Sequence, residues 1–244
     1  MTSQPSSKGK RREPSSRTIF LTSAFALVAF IAVVLVARIA PGDAPLASTP
    51  AGESSSEGSV ELELVRRLEG DPMALGDVDA PVVLIEWTDL RCPFCASFSR
   101  DTLPTLIEEY VDTGKVRVEF HDVAYFGAQS EDAAVAVRAA GNQNRFAEYL
   151  AAVFEAAPDG AHADLPRDAL VEFAKVSGVP DIQRFTADLD DPALREASRR
   201  STADAQQLGV SAVPFFVVGG TALSGAQPID EFRSLLDSAL EQTE

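Results

Sequence analysis

Residues 76–98 read GDVDAPVVLIEWTDLRCPFCASF, and two local patterns meet in them. Residues 82–88 (VVLIEWT) are a short apolar run rich in β-prone side chains, which predicts a buried strand. Four residues later comes Cys92-Pro93-Phe94-Cys95. Proline suits the first position of a helix, so a helix is expected to start here, with Phe94, Phe98, Leu106 and Tyr110 on its inward face and a kink at Pro104. A Cys-x-x-Cys pair at a strand-to-helix junction carries a mechanism. Cys92 lies beside unpaired backbone N–H groups and the positive end of the helix dipole, so it is expected as an exposed thiolate. Cys95, one turn on, is within reach for a disulfide but faces the core. Attack at the outer sulfur and resolution by the inner one follow from that placement.

These are the chain's only two cysteines, which excludes a small scaffold stapled by several bridges. Other uses of the pair remain open. A zinc site needs about four ligands, and neither a second Cys pair nor finger-like spacing of His121 and His162 supplies them. An inert structural disulfide would close too small a loop to stabilise much, and two unrelated core thiols would be an odd use of both cysteines. Glu86 lies six residues before Cys92 in an otherwise apolar run. Buried, it would have a raised pKa and could exchange protons near neutrality; at a solvated strand end it would be an ordinary carboxylate. His121 and His162 read as surface or boundary histidines, and Trp87 and the phenylalanines as core.

Working outward, 45% apolar content over 244 residues is ample for a packed core. Lys8, Lys10, Arg11, Arg12 and Arg17 face only Glu13 in residues 1–17, so the formal charge of −16 is concentrated in the rest of the chain. Such an acidic body repels phosphate backbones, and nucleic acid is not expected as a partner. Residues 18–37 (TIFLTSAFALVAFIAVVLVA) are uncharged and long enough to cross the hydrocarbon core as a helix. With the basic cluster before it and only Arg38 close behind, residues 18–38 are expected as a transmembrane signal anchor, with a cytoplasmic tail (1–17) and everything later outside. A cleavable signal peptide is the competing reading; Arg38 stands where its small-residue cleavage site would be. Residues 39–59, rich in Pro, Ser, Gly and Ala, are expected as a flexible linker, and the folded body (60–244) as beginning near Val60.

Beyond the cysteines, Val116, Val118 and Phe120 alternate with Arg117 and Glu119, which predicts a strand. From about 127 to 208 the signal is helical, with starts marked at Leu165-Pro166-Arg167-Asp168 and at Asp191-Pro192. Strands return at residues 215–218, followed by a Gly219-Gly220 turn. Pro228 opens a last helix with Ile229, Phe232, Leu235, Leu236 and Leu240 on one face. The order predicts an α/β core with a helical insertion at about 127–208.

Taken together, residues 76–98, LIEEYVDTGKVRVEF (106–120), the helical block and GVSAVPFFVVGG (209–220) resemble, in the right order, the DsbA-like family of thioredoxin-fold proteins, from about Gly70 onward. The resemblance implies a thioredoxin-like fold and a protein thiol-disulfide oxidoreductase whose only redox group is the Cys92–Cys95 disulfide, with no further cofactor and no metal. It implies a cis-proline loop at Val213-Pro214 facing the sulfurs, with Pro214 keeping a backbone N–H away and Val213 offering its main chain to substrate. It also implies that Glu86 relays the proton of Cys95. Many relatives have Thr before the proline and the best-known member has His at the position of Phe94, so Val213 and Phe94 mark where substrate preference and redox poise depart. The implied activity is oxidation of exported protein thiols, with reoxidation by a membrane partner of the DsbB or vitamin K epoxide reductase type. A membrane-tethered reductase or isomerase uses the same residues, and a non-redox binding or chaperone-like module is the reading of another class.

Overall fold

The computed structural model describes residues 64–243. The expected tail, anchor and linker (1–59) and the start of the body near Val60 lie outside them. Among the described residues, no helix is long and apolar enough to cross a membrane.

Five strands form one sheet in the order β1-β3-β2-β4-β5: β1 (Ala74–Leu75), β2 (Val82–Thr88), β3 (Val116–Asp122), β4 (Phe215–Val218) and β5 (Thr221–Ser224). β2 is central and buried along its whole length, Glu86 included, as its mostly apolar run predicts. It runs parallel to β3, from Val82 opposite Val116 to Thr88 opposite Asp122. Parallel neighbours need a crossover, here α1 (Pro93–Asp101), α2 (Leu103–Leu106) and a π-helical turn at Ile107–Val111. The helical path is interrupted at Thr102, two residues before Pro104, whose ring removes the N–H that a continuous helix would use.

One face of the sheet is covered by α1 and by the closing helix α8 (Ile229–Glu241). Phe98 of α1, Phe216 of β4 and Phe232 of α8 are fully buried, with ring centroids 4.6–5.1 Å apart. Glu86 pairs across the strands with Phe216 and Phe120, so its side chain points into this same layer. The other face carries Trp87, stacked on His121 at 5.2 Å. His121 is thus a member of β3 and not a boundary residue after it. Burial pushes its imidazole down to about 3, and its Nε2 has no hydrogen-bond partner.

β3 differs from a strand with one solvated face. Arg117 and Glu119 are both buried because β1 and the segment from Leu64 to Met73 lie over them. Glu119 accepts from the N–H groups of Arg66 and Arg67 at 2.7 and 2.8 Å and from Arg117 Nε at 2.8 Å. Burial opposes ionisation of Glu119, but these donors outweigh it and its pKa is lowered.

Between β3 and β4 run α3 (Ala128–Gly141), α4 (Phe146–Glu155), α5 (Arg167–Val176), α6 (Ile182–Asp188) and α7 (Pro192–Gln207). Their starts follow the residues. Asp191 caps α7 by accepting from Ala193 N–H at 2.7 Å, with Pro192 next. α3 is buried nearly throughout, and its alanines allow close approach on several sides.

Candidate active site

Cys92 is the N-cap of α1. The Cys95 N–H donates to Cys92 Sγ at 3.4 Å, and Pro93 at the next position has no N–H to compete. The Cys95 thiol hydrogen bond is the largest influence lowering the pKa of Cys92; burial opposes it, the N–H groups of Cys95 and Phe94 lower it further, and Asp89 raises it. The balance lowers the pKa of Cys92, so its proton comes off more easily than that of an ordinary thiol. Cys95, fully buried, is driven the other way: burial and then its bond to Cys92 push its thiol well above the usual range. One helical turn therefore separates a sulfur that readily loses its proton from one that holds it.

The second wall comes from far along the chain. β4 runs antiparallel to β2 with Phe215 opposite Trp87, so the residues just before β4 arrive beside the end of β2, where α1 begins. There the Val213-Pro214 peptide is cis, and Cys92 Sγ donates to the Val213 carbonyl at 3.3 Å. This contact corrects one expectation: Cys92 is only 2% exposed, because the loop before Pro214 lies over it, and a reacting thiol must reach it through a cleft.

Phe94 also departs from its expected place. It is 65% exposed. The inward position of the first turn is taken by Cys95, which together with Ala96 and Phe98 packs on the sheet, leaving Phe94 at the rim. Glu86 is 1% exposed. Burial raises its pKa to about 8, the neighbouring Thr88 hydroxyl offsetting part of the rise, yet neither Glu86 Oε2 nor Thr88 Oγ1 has a hydrogen bond of good geometry. Thr88 also lies beside Cys95, where it eases ionisation, so it stands between the acid and the inner sulfur. Glu86, Cys92, Cys95, Val213 and Pro214 are thus brought together at one end of β2, with Phe94 at the edge.

Cys92 opens into a cleft of about 890 Å³ whose walls include Phe94, Tyr125, Phe126, His162 and Val213. Tyr125 and Phe126 follow β3, and the carboxyl ends of parallel strands are where α/β folds gather their sites; an aromatic pair after residue 122 was a usable signal. His162 packs against Phe126 with the rings tilted and their centroids 4.1 Å apart. Nothing in its sequence surroundings placed it near the cysteines. Arg91 ties these walls to the cysteine turn, donating through Nε to Ala163 O at 2.7 Å and through Nη1 to Phe126 O at 2.5 Å.

Comparison with known proteins agrees with this geometry. Residues 68–238 match the thioredoxin family model. The chain is 29% identical over 174 residues to a probable disulfide bond formation protein D of Bacillus anthracis, covering 69% of this chain and 78% of that protein. A putative protein-disulfide oxidoreductase of Rickettsia felis is 25% identical over 201 residues, 80% of this chain and 70% of that one. Among solved structures, oxidised BdbD of Bacillus subtilis superposes with a TM-score of 0.65 at 25% identity, over 70% of this chain and 94% of that one. Wolbachia pipientis alpha-DsbA1 shares the fold at a TM-score of 0.64 and 23% identity, over 74% and 96% of the two chains. With this match across most of its length and two inequivalent sulfurs at the start of α1, the chain belongs to the thioredoxin family, as a DsbA-like thiol-disulfide oxidoreductase.

Proposed function

We propose that the Cys92–Cys95 pair works as a dithiol oxidase of exported proteins, outside the cytoplasm and tethered by residues 18–38. The observation that carries this reading is the opposed ionisation of the two sulfurs. A low-pKa Cys92 is a good leaving group and stabilises the reduced form, which makes the disulfide form a donor. The relatives named for disulfide bond formation support the same direction.

The reaction balances as two exchanges. A substrate thiolate attacks Cys92 Sγ of the disulfide; a substrate–Cys92 bond forms, the Cys92–Cys95 bond breaks, and Cys95 leaves with the electron pair. Its high proton affinity demands a proton, which Glu86, protonated near neutrality, is placed to supply by way of Thr88. The substrate's second thiolate then attacks its own bonded sulfur and releases Cys92 as the favoured thiolate. Two electrons have moved from substrate to the pair. A quinone-linked membrane protein of the DsbB or vitamin K epoxide reductase type removes them and restores the disulfide. Val213 presents main chain to the extended substrate, and Phe94 supports it at the rim.

Cys95→Ala in the full-length chain tests this directly. Exported proteins should accumulate as mixed disulfides on Cys92 that reductant releases. A variant that traps none, in cells where the wild type forms disulfides, would count decisively against the oxidase reading.

A further inference from the structure

Asp89 lies three residues before Cys92, and no step above uses it. Its carboxylate is fully buried and saturated with donors from three segments. Oδ1 accepts from Arg91 N–H and from the Ser130 hydroxyl, both at 2.9 Å, and Oδ2 accepts from Tyr125 N–H at 2.8 Å. Its own carbonyl accepts from Cys92 N–H at 2.9 Å. Tyr125 in turn donates its hydroxyl to the Val210 carbonyl, three residues before Val213, whose carbonyl receives the Cys92 thiol. The contacts close a ring: Asp89, Tyr125, the Val210–Val213 loop, Cys92, and back to Asp89. Burial raises the pKa of Asp89, and the Arg91 and Tyr125 N–H groups and the Ser130 hydroxyl oppose that rise; every protein partner of the side chain is a donor, the arrangement that suits an acceptor-only carboxylate.

We propose that Asp89 is a positioning residue of the exchange reaction. It clamps the Cys92 turn to the cleft wall, and its carboxylate charge holds the disulfide–dithiol balance less oxidising than the helix start alone would set. The α1 N-terminus stabilises a thiolate that exists only in the dithiol form. A buried anion close by opposes that stabilisation and so favours the disulfide. The charge of Asp89 does raise the pKa of Cys92. The other titratable or charged groups around the sulfur are Cys95, Tyr125 and His162, the guanidinium of Arg91, which is turned to the Phe126 and Ala163 carbonyls, and Glu86 beyond Thr88.

The test is Asp89→Asn in the full-length chain, read by the ultraviolet titration of the Cys92 thiolate and by equilibration with reduced and oxidised glutathione. Cys92 should titrate lower, by at least about threefold in thiolate fraction, and the equilibrium should move at least about threefold toward the dithiol. Asp89→Ser keeps a short acceptor for Arg91 N–H without the charge and should shift both readouts the same way, which covers the case of an asparagine variant that folds poorly. Tyr125→Phe cuts the ring at Val210 but leaves the charge: exchange with a thiol peptide should slow while the Cys92 titration stays put. An unmoved or raised Cys92 titration in the Asp89 variants overturns the inference, and so does a Tyr125→Phe shift equal to theirs. The inference rests on a redox-active Cys92–Cys95 pair, and the two fail differently. A wild type that never bridges in glutathione removes that reading; a wild type that bridges, with Asp89 variants matching it, removes this inference alone.

Discussion

Glu86→Gln separates what the buried acid does for the reaction from what it costs the fold. A carboxyl with an ordinary value of 4.5 that rises to about 8 when folded binds its proton more tightly in the native state than in the unfolded one. Stability must then fall as pH rises from about 4.5 toward about 8, by about 1.4 kcal/mol per pH unit, and by pH 7 the accumulated loss is about 3 kcal/mol. Glutamine has the same shape and no titration. Its amide adds a constant penalty in a site without good partners, so the slope carries the information. Urea unfolding of the full-length chain in the dithiol form, from about pH 5 to about pH 7.5, should show the variant gaining on the wild type by about 3 kcal/mol across that range. The same variant should exchange disulfides at least about tenfold more slowly, since it cannot supply the proton that Cys95 needs. Two stability curves that run parallel with pH would refute both the buried titration and the relay built on it.

Three further outcomes follow from the same packing. Phe98→Ala, in the cluster with Phe216 and Phe232, should lower unfolding free energy by about 3–5 kcal/mol in chemical denaturation. Glu119→Ala strands Arg117 and two backbone N–H groups and should cost about 3–5 kcal/mol; a loss below about 1 kcal/mol would mean the network is not closed. His121, neutral in the fold because burial lowers it from 6.5 to about 3, is protonated first in the unfolded chain, so its own contribution falls by about 2 kcal/mol between about pH 7 and about pH 5, a loss that the opposite slope of Glu86 masks in the wild type. His121→Leu should therefore gain about 2 kcal/mol on the wild type as pH falls across that range, read in the same assay.

Legibility in the sequence followed how local each feature is. β2 at Val82–Thr88 and the starts of α5 and α7 were readable because a mostly apolar, β-prone run, or a proline near an acid, decides them without help from distant residues. β1 was not, since two residues carry no period. The burial of Arg117 and Glu119 was hidden for a related reason: alternation says which residues share a face, while what covers that face, here the segment from Leu64 to Met73, is tertiary. The same limit applies at the site. Helical spacing put Cys95 one turn from Cys92, but the cover over Cys92 comes from Val213, 121 residues away. Phe94 shows the converse. Its spacing from Phe98 suited an inward face, and Cys95 took the one place the first turn offers.

Glu86 and His121 also set the pH range in which the fold can afford its buried acid. Below about 6.5 the unfolded chain takes up a proton at His121 that the native imidazole refuses, so stability falls as pH falls. Above about 4.5 the unfolded chain releases a proton that native Glu86 keeps, so stability falls as pH rises. Between about 4.5 and about 6.5 the two slopes have opposite signs and the same size, and they cancel. Their sum is a plateau there, with an acid limb owed to His121 and an alkaline limb owed to Glu86. The alkaline limb ends near pH 8, where Glu86 is half ionised. A double variant, Glu86→Gln with His121→Leu, should lose both limbs together, because the two side chains lie on opposite faces of the sheet and their effects should add.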